Sequence, residues 1–264
     1  MPAADILLKE PVLWVPGLEG TYPGEESYVY LGDARVRMVF CWCPPWDGKA
    51  AFNPWNGPGF WLAKYPVTQE QWVAVKGSNP SHFKLGGTHP VDSVSWHDAQ
   101  DFCARTRMRL PLAEEWDHAC MGRRRRPFGV GNGSALTSQL ANFDGDYPEG
   151  PGEDAFQWLY RKRTFPVGCF PENEWALSDM HGQVWEWCED QLSGGLRALR
   201  GGSWFNIGGR AASGNRIGRG PGLRDCRIGF RPCPSSISQP AIQQEKRAGL
   251  RASEGRASEE HGGR

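Results

Sequence analysis

The sequence predicts an α+β domain in which a few short helices sit on a β-rich, loop-rich body. Three observations point there. Thirteen Trp and 34 Gly among 264 residues suit backbone held in place by aromatic anchors rather than by long helices. Capping signals mark only brief helices, and the apolar runs are short and separated by Pro- and Gly-rich links. The length is enough to bury a full core and fits one domain, which we place at 36–236, with a lead-in over 1–35 and a polar, flexible tail over 237–264.

In chain order, residues 1–37 alternate apolar pieces with Gly, Pro and acid, as edge strands or an extended lead-in would. Arg37 to Cys43 and Phe60 to Tyr65 read as strands joined by a loop. Thr68 to Gln71 is a capping box whose helix stops at Gly77, and Ser95 to Asp98 starts a second helix with Ala99, Phe102 and Cys103 on one face. A third runs from Ala113 to Met121 and ends at Gly122. Arg123 to Arg126 reads as a solvated loop, and Asn142 to Pro151 as an acidic turn region.

Charge and cysteine content exclude several functions. Thirty basic and 30 acidic residues cancel, so no global field draws the chain to nucleic acid or to an anionic membrane. There is no basic segment followed by an apolar run at the start, nor about 18 consecutive apolar residues anywhere, so neither a signal peptide nor a membrane span is expected. The compartment stays unknown at this level; without a visible export signal the expectation is cytoplasmic or virion-associated before any display. Eight Cys without a C-x-x-C argue against zinc, and most should be small core residues.

The stretch Arg200 to Arg231 is the one that the rest serves. Gly-Gly-Ser-Trp (201–204) allows a tight bend followed by an aromatic anchor, and Ile228 to Arg231 reads as a short buried strand. Between them the chain has neither helical nor strand periodicity, which predicts solvent-facing loop or ragged strand. From Phe205 to Arg227 there is no Trp, Met, Lys, Glu or Gln, the five amino acids that no codon ending in a pyrimidine encodes. A segment randomised at the adenines of Asn-type codons would lack them.

Several pieces in one order resemble the formylglycine-generating enzyme (sulfatase-modifying factor) family. They are Lys64-Tyr-Pro-Val-Thr68, Asn79-Pro-Ser-His-Phe83, Pro90 to Ala99, Arg109-Leu-Pro111 with Glu115-Trp116, Ala141-Asn142, Val167-Gly168, Leu177 to Trp187, Arg200-Gly-Gly-Ser-Trp204 and Gly229-Phe-Arg231. The resemblance implies that family's C-type-lectin-like fold over about 36–231, and the fold expectation at this level rests on it rather than on periodicity.

In the family's catalytic members two cysteines after the Gly-Gly-Ser-aromatic element bind copper(I), a soft ion that requires thiolates. Those positions hold Asn206 and Ala211 here, so the resemblance implies a non-enzyme. The iron-dependent members carry a His-rich N-terminal domain, and six His without facial-triad spacing do not match it. Asn142 and Asp154 match calcium-ligating positions of the enzymes, which makes a structural Ca²⁺ chemically reasonable; no cofactor is otherwise implied.

The 200–231 stretch itself resembles the variable region of diversity-generating retroelement proteins that use this domain. Its adenine-coded positions correspond to Phe205, Asn206, Ile207, Arg210, Asn215, Ile217, Arg219, Leu223, Asp225, Cys226 and Arg227. The resemblance implies a monomeric ligand-binding protein with a diversified surface and a protein partner. Five Arg against one Asp in the segment suggest an acidic patch on that partner. The rival readings are a diverged formylglycine-generating-type oxidase or other metal-dependent oxidase, and a structural module with a fixed surface. Asp179, Trp185, Glu186 and Trp187 are expected to be buried, hydrogen-bonded core rather than an active site.

Overall fold

The computed structural model describes residues 20–46, 55–123, 126–147 and 159–235. The calcium-matching Asp154, Arg124 and Arg125, most of the expected lead-in, and the tail lie outside the described residues.

Among the described residues the chain forms three sheets and three α-helices. The helices and the strands over 36–43, 60–63 and 228–229 arise from expected segments, whereas the strands over 185–191 and 197–200 lie outside the strand segments read from the sequence. Strands β1 (Glu26–Leu31), β2 (Val36–Cys43) and β3 (Phe60–Ala63) form an antiparallel sheet with β2 in the middle. Pairing runs Glu26↔Cys41 to Leu31↔Val36 and Phe40↔Ala63 to Cys43↔Phe60, so β1 is a full strand rather than a loose lead-in. The run expected to reach Tyr65 leaves the strand after Ala63, although the Lys64 amide still donates to Val39 O.

Helix α1 (Gln69–Lys76) has the reciprocal Thr68/Gln71 capping box and ends on Gly77 at φ +80°, where the lack of a Cβ makes the left-handed turn inexpensive. Helix α2 (Trp96–Thr106) starts on the Ser95/Asp98 box and buries Ala99, Phe102, Cys103 and Thr106. Helix α3 (Ala113–Met121) follows β4 (Met108–Arg109), and Arg109 forks onto Glu115 at 2.6 and 2.7 Å. Strand β9 (Cys233–Pro234) pairs with β4.

The sheet that organises the 200–231 stretch has the order β7-β6-β5-β8, from β5 (Trp185–Gln191), β6 (Arg197–Arg200), β7 (Arg216–Arg219) and β8 (Ile228–Gly229). Strands β6 and β8 lie on opposite sides of β5, and β8 is parallel to it. The chain between them adds β7 outside β6 and then crosses to the far side of β5 to enter β8.

Beneath it is the main core. Phe230, with no exposed surface, meets the rings of Trp72 and Phe102 edge-on at 6.1 and 5.3 Å, and Trp187 donates its indole N–H to Val94 O. Arg231 is also fully buried. It forks onto Glu186 at 2.7 and 2.8 Å and donates to the carbonyls of Ala63, Lys64, Ser178 and Asp179, while Glu186 also accepts from the Trp116 indole at 2.6 Å. These bonds satisfy a buried charge from every side, as a low-dielectric interior demands. The Asp179–Trp187 segment is thus buried polar core, as the sequence suggests, with Asp179 pushed up to about 6 by burial against the hydrogen bond from the Gly168 amide.

Of the eight cysteines, six are buried, Cys226 is half-buried and Cys169 is exposed; all are free thiols.

Candidate ligand-binding face

Strand β6 ends at Arg200, whose buried guanidinium reaches Asp117 and the carbonyls of Ala113 and Asn215. The chain then bends through Gly201 (φ +92°) and Gly202 (φ +74°); a Cβ on Gly202 would lie 2.8 Å from Ala211 Cα. Trp204 is 8% exposed, stacks near Tyr160 and meets Phe83 edge-on, and its indole donates to Cys226 O. After Phe205 come a tight turn over Gly208–Ala211, strand β7, and a loop returning to β8.

The backbone of this stretch is held from outside. Amides of Asp144, Trp96, Ser93 and Trp185 donate to the carbonyls of Asn206, Pro221, Asp225 and Arg227, at 2.8, 3.0, 3.1 and 2.7 Å, and the Ser213 amide donates to Pro127 O. Main-chain bonds of this kind are independent of side-chain identity, so substitutions along the stretch need not move it.

Two adjoining clefts open on this face. One, of about 280 Å³, is lined by Asn206, Arg210, Ile217, Arg219, Leu223, Asp225 and Arg227 over a floor of Trp185 and Ile228. The second is shallower, and Phe205, Asp225, Cys226 and Arg227 share it with His82, Ser93, Trp204 and Arg224. Of the eleven residues singled out from the sequence, nine thus line one cleft or both. Ile207 is exposed beside them, and Asn215 folds back onto Gly209 O.

None of the eleven is buried, but they are not uniformly free. Phe205, Ile207 and Leu223 are 48%, 43% and 38% exposed, and Arg210 and Arg219 face solvent. Ile217 instead is half-buried against the main core, because β7 is an edge strand and one of its faces must cover that core. Asn206 is also tied down: its side-chain oxygen accepts from the Trp185 indole at 2.8 Å and from Ser203 Oγ at 2.7 Å. Expecting every varied side chain to point outward is corrected at these two positions.

The charge reading is corrected as well. Arg227 is ion-paired to Asp225 and lies 5.1 Å over the Phe205 ring, and the bond from Arg227 holds the Asp225 carboxyl below its usual range. Arg224 forks onto Asp98 at 2.7 and 2.8 Å. Burial would raise the Asp98 carboxyl, but Arg224 and Ser95 outweigh it and hold it low. Two of the five arginines are thus already neutralised.

Residues outside the stretch complete the face. Trp185, His82 and Ser93 line the clefts and Tyr160 stacks near Trp204; all lie outside 200–231, and no local signal marks them as part of this face. His181, which nothing in the sequence explains, bonds Ala211 O through Nδ1 at 2.7 Å and accepts the Gly129 amide on Nε2 at 2.9 Å. That arrangement requires the neutral ring, and burial pushes its pKa down to about 4. It joins the 208–211 turn to the loop beneath. Asn142 is fully buried; its amide N–H donates to Arg163 O and Gln183 Oε1, and its own oxygen has no partner. No group of three or more His, Cys, Asp or Glu suited to a metal ion occurs among the described residues. Among those residues, no helix is long and apolar enough to cross a membrane.

Comparison with known proteins agrees with the architecture. The structure is similar to Treponema denticola variable protein 1 (TM-score 0.65, 22% identity, 80% of this chain and 99% of that one) and to PvdO from Pseudomonas aeruginosa (TM-score 0.58, 21% identity, 81% and 99%). The fold is therefore C-type-lectin-like. In sequence the chain is 32% identical over 190 residues to the inactive C-alpha-formylglycine-generating enzyme 2 of Bos taurus, covering 69% of this chain and 60% of that protein. It is 38% identical over 130 residues to the formylglycine-generating enzyme of Mus musculus, covering 45% and 34%. The chain thus spans about half or less of the length of several curated relatives. Residues 24–234 match the sulfatase-modifying factor enzyme 1-like domain, and with four-fifths of its length inside that match the chain belongs to this family.

Proposed function

We propose that the chain is a non-catalytic, monomeric ligand-binding protein, a variable protein of a diversity-generating retroelement. On this reading its C-type-lectin-like scaffold presents the side chains of 205–227 to a protein ligand. One observation carries it: nine of the eleven adenine-type positions line two adjoining clefts on a backbone held by main-chain bonds from other segments. Phe205, Ile207 and Leu223 supply apolar contact among arginines, the residue mix that dominates protein recognition. The fold shared with a protein named a variable protein, and the sequence similarity to one named inactive, support the same reading.

Similarity to formylglycine-generating enzymes favours a rival, a diverged oxidase. Its copper chemistry does not fit the donors present. At the two positions matched to the enzymes' cysteines, Asn206 offers an amide committed to Trp185 and Ser203, and Ala211 offers no donor. Cys226 is the single thiol in the clefts, and two-coordinate copper(I) needs two soft ligands.

The test is genetic. A near-copy of the DNA coding for 200–231, differing only at adenines and lying beside a reverse transcriptase gene, is the expected finding. Absence of both overturns the reading. Stoichiometric copper or iron in the purified protein, with oxygen uptake on a cysteine peptide, would establish the rival.

A further inference from the structure

The more enclosed of the two clefts, lined by Arg210 and Arg219, has a chemistry narrower than an acidic patch would require. Its lining carries three guanidiniums and one carboxylate, but Arg227 and Asp225 are paired with each other. Arg224 is outside this cleft and paired with Asp98. Arg210 and Arg219 are left: both are exposed, and neither has an ion-pair partner among the described residues. Among the described residues, the only side-chain bond Arg219 makes is to Gly218 O, next to it in the chain. Ile217 and Leu223 line the same cleft, and the nearly buried Trp185 and Ile228 form its floor.

Two unpaired guanidiniums around an apolar floor recognise a planar anion attached to apolar matter. Arginine forks match carboxylate geometry, and a partly water-excluded site strengthens each bond. A volume of about 280 Å³ falls at the lower edge of small-ligand pockets, typically ~300–1,000 Å³, so the cleft admits one or two side chains rather than a folded element. A nucleic-acid backbone fits poorly: it needs a basic track, and this chain has equal numbers of acidic and basic residues. Building on the ligand-binding reading above, we propose that the cleft seats a single Asp or Glu side chain of a protein partner. Arg210 and Arg219 bond its carboxylate, and an adjoining aliphatic or aromatic side chain of the partner rests on Ile217 and Leu223. The Asp225–Arg227 pair forms the wall, Phe205 lies under the Arg227 guanidinium in the neighbouring cleft, and Asp225 repels a misplaced second acid.

The full chain is panned against a phage-displayed library of random linear peptides. Enriched peptides are expected to place Asp or Glu beside an apolar residue. One such peptide is then synthesised together with its Glu→Gln form. The Glu→Gln form should bind the unaltered chain about tenfold more weakly or worse, as the loss of a charge-assisted bond implies. Both forms should bind an Arg210→Ser, Arg219→Ser double variant alike. Because both arginines are exposed, that variant should unfold at the unaltered temperature, which is checked alongside. Enriched peptides with no acidic residue, or a Glu→Gln form that binds equally well, overturn the carboxylate assignment and leave the ligand-binding reading standing. No enrichment over beads alone overturns both.

Discussion

At the scale of single residues, the displayed stretch mixes positions that can change freely with positions that hold the frame, and hydrogen-bond partners tell them apart. Asn206 belongs to both classes, since its oxygen satisfies the buried Trp185 indole. Asn206→Ala leaves that donor unpaired and is expected to cost about 1–3 kcal/mol in denaturant unfolding, whereas Asn206→Asp keeps an acceptor and most of the stability. Replacing Leu223 by Ser should change stability by less than about 0.5 kcal/mol. Arg231 lies at the opposite extreme. Arg231→Met strands the Glu186 carboxylate in the core, for an expected loss of about 3–5 kcal/mol. Arg231→Lys should recover little of it, because one ammonium cannot reach the carboxylate and four carbonyls that the guanidinium fork serves.

At the scale of elements, what positions the face is a set of joints between segments distant in the chain, and this decides what the sequence could show. The starts of α1 and α2 were legible because a capping box lies within four residues, the stops of α1 and α3 because a glycine follows, and β2, β3 and the Ile228 strand because their apolar runs are local. The joint made by His181 was not, since its partners Gly129 and Ala211 are 52 and 30 positions away. Nor was the Arg224–Asp98 pair, 126 positions apart, which leaves the segment less positive than its composition suggests. The His181 joint has a pH signature. Its folded pKa, about 4, lies below the ordinary value near 6.5, so between those limits only the unfolded chain takes up the proton. Its contribution to stability therefore falls by about 3 kcal/mol as pH drops from 6.5 to 4. Asp179 acts in the other direction: its folded pKa, about 6, exceeds the ordinary 3.8, so the folded chain keeps a proton that the unfolded one has released. That contribution falls by a similar amount, about 3 kcal/mol, as pH rises from 3.8 to 6. The two largely cancel between pH 4 and 6. A His181→Gln variant should expose the Asp179 slope: its deficit against the unaltered chain, measured by denaturant unfolding across this range, should shrink as the pH falls.

At the scale of the whole molecule, separate sets of residues carry stability and display. The frame of Trp204, Ile228, Phe230 and Arg231 is buried and touches several segments, while Phe205, Ile207, Arg210, Arg219 and Leu223 contribute mostly surface. Exchanging all five of the latter for Ser should then alter stability by less than about 2 kcal/mol in total, since exposed and mostly separate positions add without large coupling. For a domain of this size that corresponds to a melting shift of less than about 5 °C. A single Trp204→Ala should do more harm than all five together. It removes the ring between Phe83 and Tyr160 and the indole bond to Cys226 O, and truncating a buried aromatic costs about 3–5 kcal/mol, or roughly 10 °C. Thermal melts of the two variants beside the unaltered chain decide the matter. If the fivefold exchange lowers the melting temperature as far as Trp204→Ala does, the varied side chains are themselves part of the frame, and a surface that must keep its contents to stay folded could not be diversified.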